Sequence, residues 1–409
     1  MMKIKNSNKK IKVYKPKWNG FKWSGLSDAR RQSIIYIGLV VLLCILMLYT
    51  GYALLPRIIG PPNADKETQA STASTDQTAL TSVTESQTEN TDTPPVKETS
   101  VKAYRMNLSE IADTDSLRTG IEKIKNSGYN TVVLPLKVTG GGLYYVSEVS
   151  GASWAVRGEL SLSDAVSVIR ESGLVPAASM SVMADHIRPK YHSYSGYMFD
   201  AQEEFWLDNK RENAGKPWLS PFSEGAKTYT ASIAAEIAAA GFEKLFCGDF
   251  VFPPFRDKDL EYIGWSVKNP ERYTALVDMA KIIGSTASEY GTVVYIEETS
   301  DRIINSSSEI FKPEHLNGAV FAVKINLEKT APEKLTDDIA AVLDKLEGKA
   351  DKKFVLPVIV IGDAASGQIA EIGQFLSDRG YPSFSVEKYY ELPAETLFTK
   401  APETKETSD

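Results

Sequence analysis

The stretch LVPAASMSV (Leu174–Val182) is a continuous run of small and apolar residues. A strand with one solvated face would alternate polar and apolar side chains, so an unbroken run indicates a strand covered on both faces, as in a parallel sheet packed between helices. The nearest runs on either side are TVVLPLK (Thr131–Lys137) and KLFCGDFVFP (Lys244–Pro253). Helical patterns separate all three, which predicts parallel strands joined by crossover helices.

This alternation of apolar runs and helical patterns continues in both directions along the chain. The other runs are Lys102–Met106, Thr292–Thr299, Ala319–Ile325, Lys353–Gly362 and Ser383–Val386. Glycines that can end a helix precede several of these strands, at positions 128, 173, 241, 291 and 380. About eight βα units in series favour a closed (β/α)8 TIM barrel over an open doubly wound sheet. We therefore expect residues 102–390 to form such a barrel.

An apolar stretch of another kind precedes the predicted barrel. IIYIGLVVLLCILMLYTGYALL (Ile34–Leu55) carries no charge, and at about 1.5 Å per residue it can cross a hydrocarbon core of about 30 Å. Residues 1–33 are rich in Lys and Arg, whereas only Arg57 and Lys66 lie close to the other end of the segment, which predicts a cytoplasmic N-terminus. The alternatives are a buried soluble helix and a cleaved signal peptide, but Pro56 and Arg57 follow instead of a small-residue cleavage site.

Two segments lack the apolar residues that a packed core needs. Residues 56–101 are mostly Thr, Ser, Glu, Gln, Asp, Asn and Pro, and residues 391–409 are similarly polar. We expect the first to be a disordered linker and the second a disordered C-terminal tail. The sequence thus predicts a single-pass protein of the plasma membrane, with its barrel on the extracytoplasmic side.

Charge and motif content exclude several classes of function. The net charge is −7 although the first 33 residues are basic, so the predicted barrel is acidic and would repel nucleic acid. The three histidines, at positions 186, 192 and 315, have no metal-binding spacing, and the two cysteines lie in different segments. We find no phosphate-binding loop or nucleophile elbow. We therefore expect no metal and no cofactor.

Polar residues that follow the predicted strands are the candidates for a site, because barrel enzymes react at the carboxyl ends of their strands. Asp249 and Glu297 follow neighbouring strands, and glycosidic bond hydrolysis needs one carboxyl group to protonate the leaving oxygen and another to attack or to activate water. They are our candidate catalytic pair, although carboxylates at such positions also serve as helix caps or solvated ends. Other polar candidates, for substrate binding, are Arg105, Lys137, Asp185, His186 and Lys324.

Aromatic residues cluster in the loops after the second, third and fourth strands. Their flat faces can stack on sugar rings, and we take Trp154 and Trp218 as candidates for substrate binding. The alternative is that they pack beneath long loops.

Two motifs resemble the DUF4015 family, glycosyl hydrolase domains of bacterial envelope proteins. The segment from Pro217 to Pro254 contains GDFVFP, which is similar to the family's D-D-Y-F-Y-P motif and places Asp249 on its second acid. The family's second-strand motif contains a lysine, a glycine and a tyrosine, here Lys137, Gly142 and Tyr145. This chain has Pro135, Val138 and Gly248 where the family has acids.

The resemblance implies a TIM barrel with a role on carbohydrate. Our leading hypothesis is a membrane-anchored, extracytoplasmic glycoside-hydrolase-like domain that acts on envelope or extracellular polysaccharide, with Lys137 orienting the substrate. The first alternative is a catalytically inactive barrel that binds glycan or an envelope protein partner. A purely structural envelope protein is the second.

Overall fold

Eight parallel strands close into a barrel in sequence order, and the last pairs with the first. The computed structural model describes residues 100–125, 127–199, 204–305, 315–316 and 319–390. The expectation of a closed parallel barrel is confirmed. The strands are β1 Lys102–Arg105, β2 Thr131–Lys137, β3 Val175–Ser181, β4 Lys244–Gly248, β5 Val293–Thr299, β6 Val320–Leu327, β7 Val355–Ile361 and β8 Phe384–Lys388.

Helices connect successive strands. The α-helices are α1 Thr114–Ile124, α2 Leu162–Glu171, α3 Arg188–Tyr191, α4 Glu224–Ala239, α5 Asp257–Ile263, α6 Trp265–Lys268, α7 Tyr273–Ser288, α8 Ser300–Asn305, α9 Leu335–Leu346 and α10 Ile369–Asp378. Short 3₁₀ helices span Leu108–Ile111, Ser153–Ala155, Ser193–Ser195, Arg211–Asn213, Pro332–Lys334, Lys352–Phe354 and Asp363–Gln368.

Local sequence signals account for the ends of the main helices. Asp113 precedes α1, and its carboxylate accepts a hydrogen bond from the backbone N–H of Ser116 at 2.7 Å. Ser161 and Ser223 cap α2 and α4 in the same way. All five glycines expected to end helices have a positive φ, between 77° and 99°, which glycine adopts without steric cost.

The apolar residues form two layers, one on each side of the strands. The inner layer fills the barrel with nine buried side chains: Val101, Ala103, Val133, Ala177, Phe246, Tyr295, Ala322, Leu356 and Val358. A larger outer layer lies between the strands and the helices. Phe246 stacks on Tyr295 with ring centroids 4.7 Å apart, and the Arg105 guanidinium lies 4.5 Å from the centre of the Phe246 ring. A charged residue, Arg105, thus packs directly on the inner apolar layer.

The N-terminal segments predicted above lie almost wholly outside the described residues. These are the basic tail 1–33, the membrane span 34–55 and all but the last two residues of the linker 56–101. The C-terminal tail 391–409 also lies outside them. In the part of the chain that the structure describes, no helix has both the length and the apolar character needed to cross a membrane.

Candidate functional site

A cavity of about 500 Å³ opens at the carboxyl ends of the strands. This is the end of a parallel barrel where active sites form, because the loops that follow all eight strands meet there. Five of the residues proposed from the sequence line the cavity: Arg105, Lys137, Asp249, Glu297 and Lys324. The structure therefore brings both candidate acids into one space.

The floor of the cavity is a cluster of four charged residues, the floor cluster: Arg105, Glu297, Lys324 and Glu387. Arg105 Nη2 lies 2.5 Å from Glu297 Oε2, and Lys324 Nζ lies 2.9 Å from Glu297 Oε1. Lys324 Nζ also lies 3.2 Å from Glu387 Oε2. Two cations and two anions balance, and both oxygens of Glu297 face a cation.

The floor cluster keeps Glu297 ionised. Burial alone would raise the pKa of Glu297, but the charges of Arg105 and Lys324 outweigh burial and hold this pKa below the usual value. Burial would also lower the pKa of Lys324, and the neighbouring Glu297 and Glu387 raise it instead. A buried carboxylate that stays ionised suits an attacking or charge-stabilising group, and does not suit a proton donor.

Asp249 follows β4 directly and has an unusual backbone conformation. Its φ is 59°, in the left-handed region that costs a non-glycine residue about 1 kcal/mol or more. Its carboxylate Oδ2 accepts hydrogen bonds from Ser181 Oγ at 2.6 Å and from Thr139 Oγ1 at 2.8 Å. Its carbonyl oxygen accepts a hydrogen bond from the backbone N–H of Met183 at 3.2 Å. Backbone strain of this kind is concentrated at functional sites.

Gly248 faces Glu297 from the neighbouring strand. A Cβ atom at position 248 would lie 3.4 Å from Glu297 Oε1. The acid that the DUF4015 motif has at this position would therefore point toward Glu297. In this chain the position carries no side chain, so Asp249 is the acid that this motif contributes to the cavity.

Lys137 lines the cavity and forms a buried ion pair with Asp185. Its Nζ lies 3.0 Å from Asp185 Oδ2 and donates a hydrogen bond to the Ser181 carbonyl oxygen at 2.7 Å. The Lys137 and Asp185 side chains are 1% and 0% exposed. Asp185 Oδ1 also accepts hydrogen bonds from the backbone N–H groups of Ile187 and Arg188. The pair fixes the chain that follows β3 against β2.

We predict that Gly141→Ala strongly destabilises the barrel. Gly141 has a φ of 99°, and an added Cβ would overlap the Asp185 carboxylate. We expect a loss of about 3 kcal/mol in the free energy of unfolding, from steric overlap added to backbone strain. Gly128→Ala is the matched control, because Gly128 has a φ of 81° with no atom within 4 Å of the added Cβ. It should cost about 1 kcal/mol. Equal losses in urea unfolding of the two variants would contradict the packing described here.

The remaining residues proposed for substrate binding are not among the described residues that line the cavity. Asp185 and His186 are both buried. His186 Nδ1 lies 2.8 Å from the Pro217 carbonyl oxygen, and burial lowers the pKa of His186. Trp218 packs edge-on against His186 and donates a hydrogen bond from Nε1 to Asp208. Trp154 is 48% exposed and stacks on Tyr191. A substrate role for these four residues stays a prediction.

Several cavity residues were not among the candidates from the sequence. They are Thr139, Ser181, Asp301, Glu387, Tyr389 and Tyr390. The last three were missed because β8 was expected to end at Val386, whereas it continues to Lys388. Burial, together with the nearby Glu387 carboxylate, raises the pKa of Tyr390 to about 12. Tyr390 is thus a neutral hydroxyl at the edge of the floor cluster.

The described residues contain no group of three or more His, Cys, Asp or Glu side chains that could hold a metal ion. The groups that the cavity itself offers for chemistry are carboxylates, hydroxyls and cations.

Comparison with known proteins finds a family model that matches part of the barrel. Residues 104–297 match the model of DUF4015, described as "Putative glycosyl hydrolase domain". The glycoside hydrolase domain of PgaB (BpsB) from Bordetella bronchiseptica is 14% identical, with a TM-score of 0.51, over 70% of this chain and 93% of that one. A search of curated proteins gave no match.

Two further solved structures are similar with lower TM-scores. The glycoside hydrolase domain of PelA from Pseudomonas aeruginosa is 15% identical, with a TM-score of 0.39, over 70% of this chain and 94% of that one. A hypothetical protein from Ruminiclostridium thermocellum ATCC 27405 is 14% identical, with the same TM-score, over 47% and 96%. The family match runs from β1 to β5 and includes both Asp249 and Glu297. Residues 104–297 of the barrel are therefore similar to the DUF4015 family.

Proposed function

We propose that the barrel binds a polysaccharide in the cavity and hydrolyses a glycosidic bond with Asp249 and Glu297. The observation that carries this proposal is that two carboxylates in unlike environments line one open cavity. Glu297 is paired with Arg105 and Lys324, whereas Asp249 is held by two hydroxyl groups. Glycoside hydrolysis needs one carboxyl group that exchanges a proton with the leaving oxygen and another that stays ionised, and the ion pairs of Glu297 suit the second task.

The roles follow from these surroundings. Asp249 gives a proton to the glycosidic oxygen as the bond from that oxygen to the anomeric carbon breaks. The ionised Glu297 either bonds to that carbon or directs a water molecule to it, and so offsets the positive charge that develops on the sugar ring. Water supplies the hydroxyl group of the new reducing end, and its second proton returns to the carboxylates. Arg105 and Lys324 hold Glu297 in place and keep it ionised until it reacts.

The family match supports this reaction class, because the DUF4015 model is described as "Putative glycosyl hydrolase domain". The PgaB structure, which shares the fold, is also named as a glycoside hydrolase domain. At 14% identity that likeness concerns the fold alone, so the argument for chemistry depends on the cavity.

We further propose that the barrel works outside the cytoplasm, tethered by the apolar segment Ile34–Leu55. The basic residues before this segment support a cytoplasmic N-terminus, and the polar residues 56–101 supply a spacer. A barrel held in this way would act on envelope or extracellular polysaccharide.

The direct test is glycan cleavage by the purified full-length protein in detergent. We expect the wild type to release new reducing ends from a bacterial envelope polysaccharide, and Asp249→Asn to lower kcat by about 100-fold or more, the usual contribution of a general acid. Asp278→Asn, an exposed position on α7, is the matched control and should match the wild type. No cleavage by the wild type, or equal cleavage by both variants, would exclude the reaction.

A second candidate is a barrel that binds glycan without cleaving it. The empty position at Gly248 favours it, because the family motif has there an acid that would face Glu297. In this case isothermal titration would detect binding of oligosaccharide to the wild type, and no reducing ends would form under the same conditions.

A further inference from the structure

The Asp249 carboxylate is held by hydroxyl groups from two other strands. Thr139 lies two residues beyond the end of β2, and Ser181 is the last residue of β3. Ser181 is 6% exposed, and Thr139 lies at the open side of the cavity. The ends of β2, β3 and β4 therefore converge on one side chain.

Both hydroxyl groups donate to the same oxygen. Ser181 Oγ lies 2.6 Å from Asp249 Oδ2, and Thr139 Oγ1 lies 2.8 Å from the same atom. A carboxylate oxygen has about two lone-pair positions, so two donors occupy Oδ2. Within the described part of the chain, the hydrogen bonds found for this carboxylate all fall on Oδ2. A proton carried by Asp249 is therefore best accommodated on Oδ1.

The backbone around Asp249 supports this fixed orientation. The backbone N–H of Val182 donates to the Gly248 carbonyl oxygen at 2.9 Å, so the contact of β3 with β4 continues past the end of both strands. Val251 N–H donates to the Asp249 carbonyl oxygen at 2.9 Å. The left-handed backbone and the two hydroxyl groups together leave the side chain little freedom to rotate.

We propose that Thr139 and Ser181 are positioning residues that give the two oxygens of Asp249 different tasks, with Oδ2 as the anchor and Oδ1 as the oxygen that exchanges the proton with the substrate. This assignment rests on the proposed hydrolysis and specifies its acid. It also has a consequence that does not depend on catalysis. The two donors contact the Asp249 carboxyl group directly, so removing them must change the local environment of that group.

The charged residues that line the cavity with Asp249 are Arg105, Lys137, Glu297, Asp301, Lys324 and Glu387. Glu298 also interacts electrostatically with Asp249. Lys137 and Glu297 are already in ion pairs, and Glu298 Oε1 accepts a hydrogen bond from Arg302. Burial, more than the nearby Asp249 charge, raises the pKa of Glu298. All of these groups are retained when the two hydroxyl groups are removed, so a change between variants reports the hydroxyl groups.

The first experiment follows the Asp249 carboxyl carbon by ¹³C NMR in the full-length protein labelled at aspartate. The signal is assigned by its loss in Asp249→Asn. In the double variant Thr139→Val and Ser181→Ala, we expect the Asp249 carboxyl signal to move from its wild-type position at the same pH, because both hydrogen bonds to Oδ2 are lost. Thr139→Ser keeps a hydroxyl group and should give a signal close to that of the wild type. Ser179→Ala, on the same strand and face as Ser181, should also leave the signal unchanged. An unchanged signal in the double variant would overturn the anchoring role whether or not the protein cleaves glycan.

The second experiment tests the task assigned to Oδ1. A 2,4-dinitrophenyl glycoside of the sugar that the wild type releases needs no proton on its leaving group, whereas the natural linkage does. We expect the double variant to lose about tenfold in kcat on the natural linkage, with little change in KM, and to stay within about twofold on the dinitrophenyl glycoside. Equal losses on both substrates would overturn the assignment. Absence of cleavage by the wild type would instead reject the proposed hydrolysis, and the NMR result would still decide the anchoring.

Discussion

Asp185→Asn is expected to lower the free energy of unfolding by about 3–5 kcal/mol, because it leaves the buried Lys137 ammonium without its counter-charge. The Lys137 and Asp185 side chains are 1% and 0% exposed, and the Nζ to Oδ2 distance is 3.0 Å. Lys137 Nζ would keep its hydrogen bond to the Ser181 carbonyl oxygen, which carries no full charge. Urea unfolding followed by tryptophan fluorescence measures the loss.

Two controls separate this effect from a general sensitivity to substitution. Asp278→Asn on the exposed face of α7 should change the stability by no more than about 0.5 kcal/mol. Replacing both partners, Lys137→Met with Asp185→Leu, should cost less than the two single substitutions added together, because no charge is left buried alone. Additive losses would show that the two residues do not act as a pair.

Glu297→Ala is expected to lower kcat by about 10⁴-fold or more, the size of effect seen when a group that reacts directly with the substrate is removed. It also removes the carboxylate that Arg105 and Lys324 face, and so leaves a space beside two positive charges. A small anion such as azide should enter this space and restore part of the activity. Sodium chloride at the same ionic strength is the control for non-specific salt effects. An activity near that of the wild type in the variant would remove Glu297 from the mechanism.

The same ion pairs predict how stability depends on pH. The Arg105 and Lys324 charges hold the pKa of Glu297 below its usual value, against the effect of burial. Their stabilising contribution is therefore complete at neutral pH, above the pKa of an unfolded glutamate of about 4.3, and is lost as the pH falls through the lower folded value. The Glu297→Ala variant lacks this part of the acid sensitivity.

The strand pattern could be predicted because each apolar run is both short and unbroken. A run such as Leu174–Val182 leaves few structures other than a strand covered on both faces, and the helix-ending glycines fix where the next strand begins. The end of β8 was misjudged, because Glu387 and Lys388 follow Val386 and resemble a solvated terminus. In the structure Glu387 on β8 instead lies 3.2 Å from Lys324 on β6, a contact that tertiary structure alone creates.

The candidate site could also be predicted only up to the contacts that tertiary structure creates. That Asp249 and Glu297 line one cavity follows from the order of the strands, and the sequence was enough to expect it. The partners of these acids could not be inferred, because Arg105, Lys324 and Glu297 are far apart along the chain and meet only when the barrel closes. Asp185 and His186 follow a strand as the site residues do, but the turn after β3 directs them into the protein interior.

The most direct test of the account is a crystal structure of the full-length Asp249→Asn protein with an oligosaccharide of the cleaved polysaccharide bound. We predict a sugar ring in the cavity at the carboxyl ends of the strands, with its glycosidic oxygen beside the substituted side chain at position 249 and its anomeric carbon facing Glu297. A sugar bound elsewhere, for example against Trp154 and Tyr191 with the cavity vacant, would contradict the claim that these two acids act on one glycosidic bond.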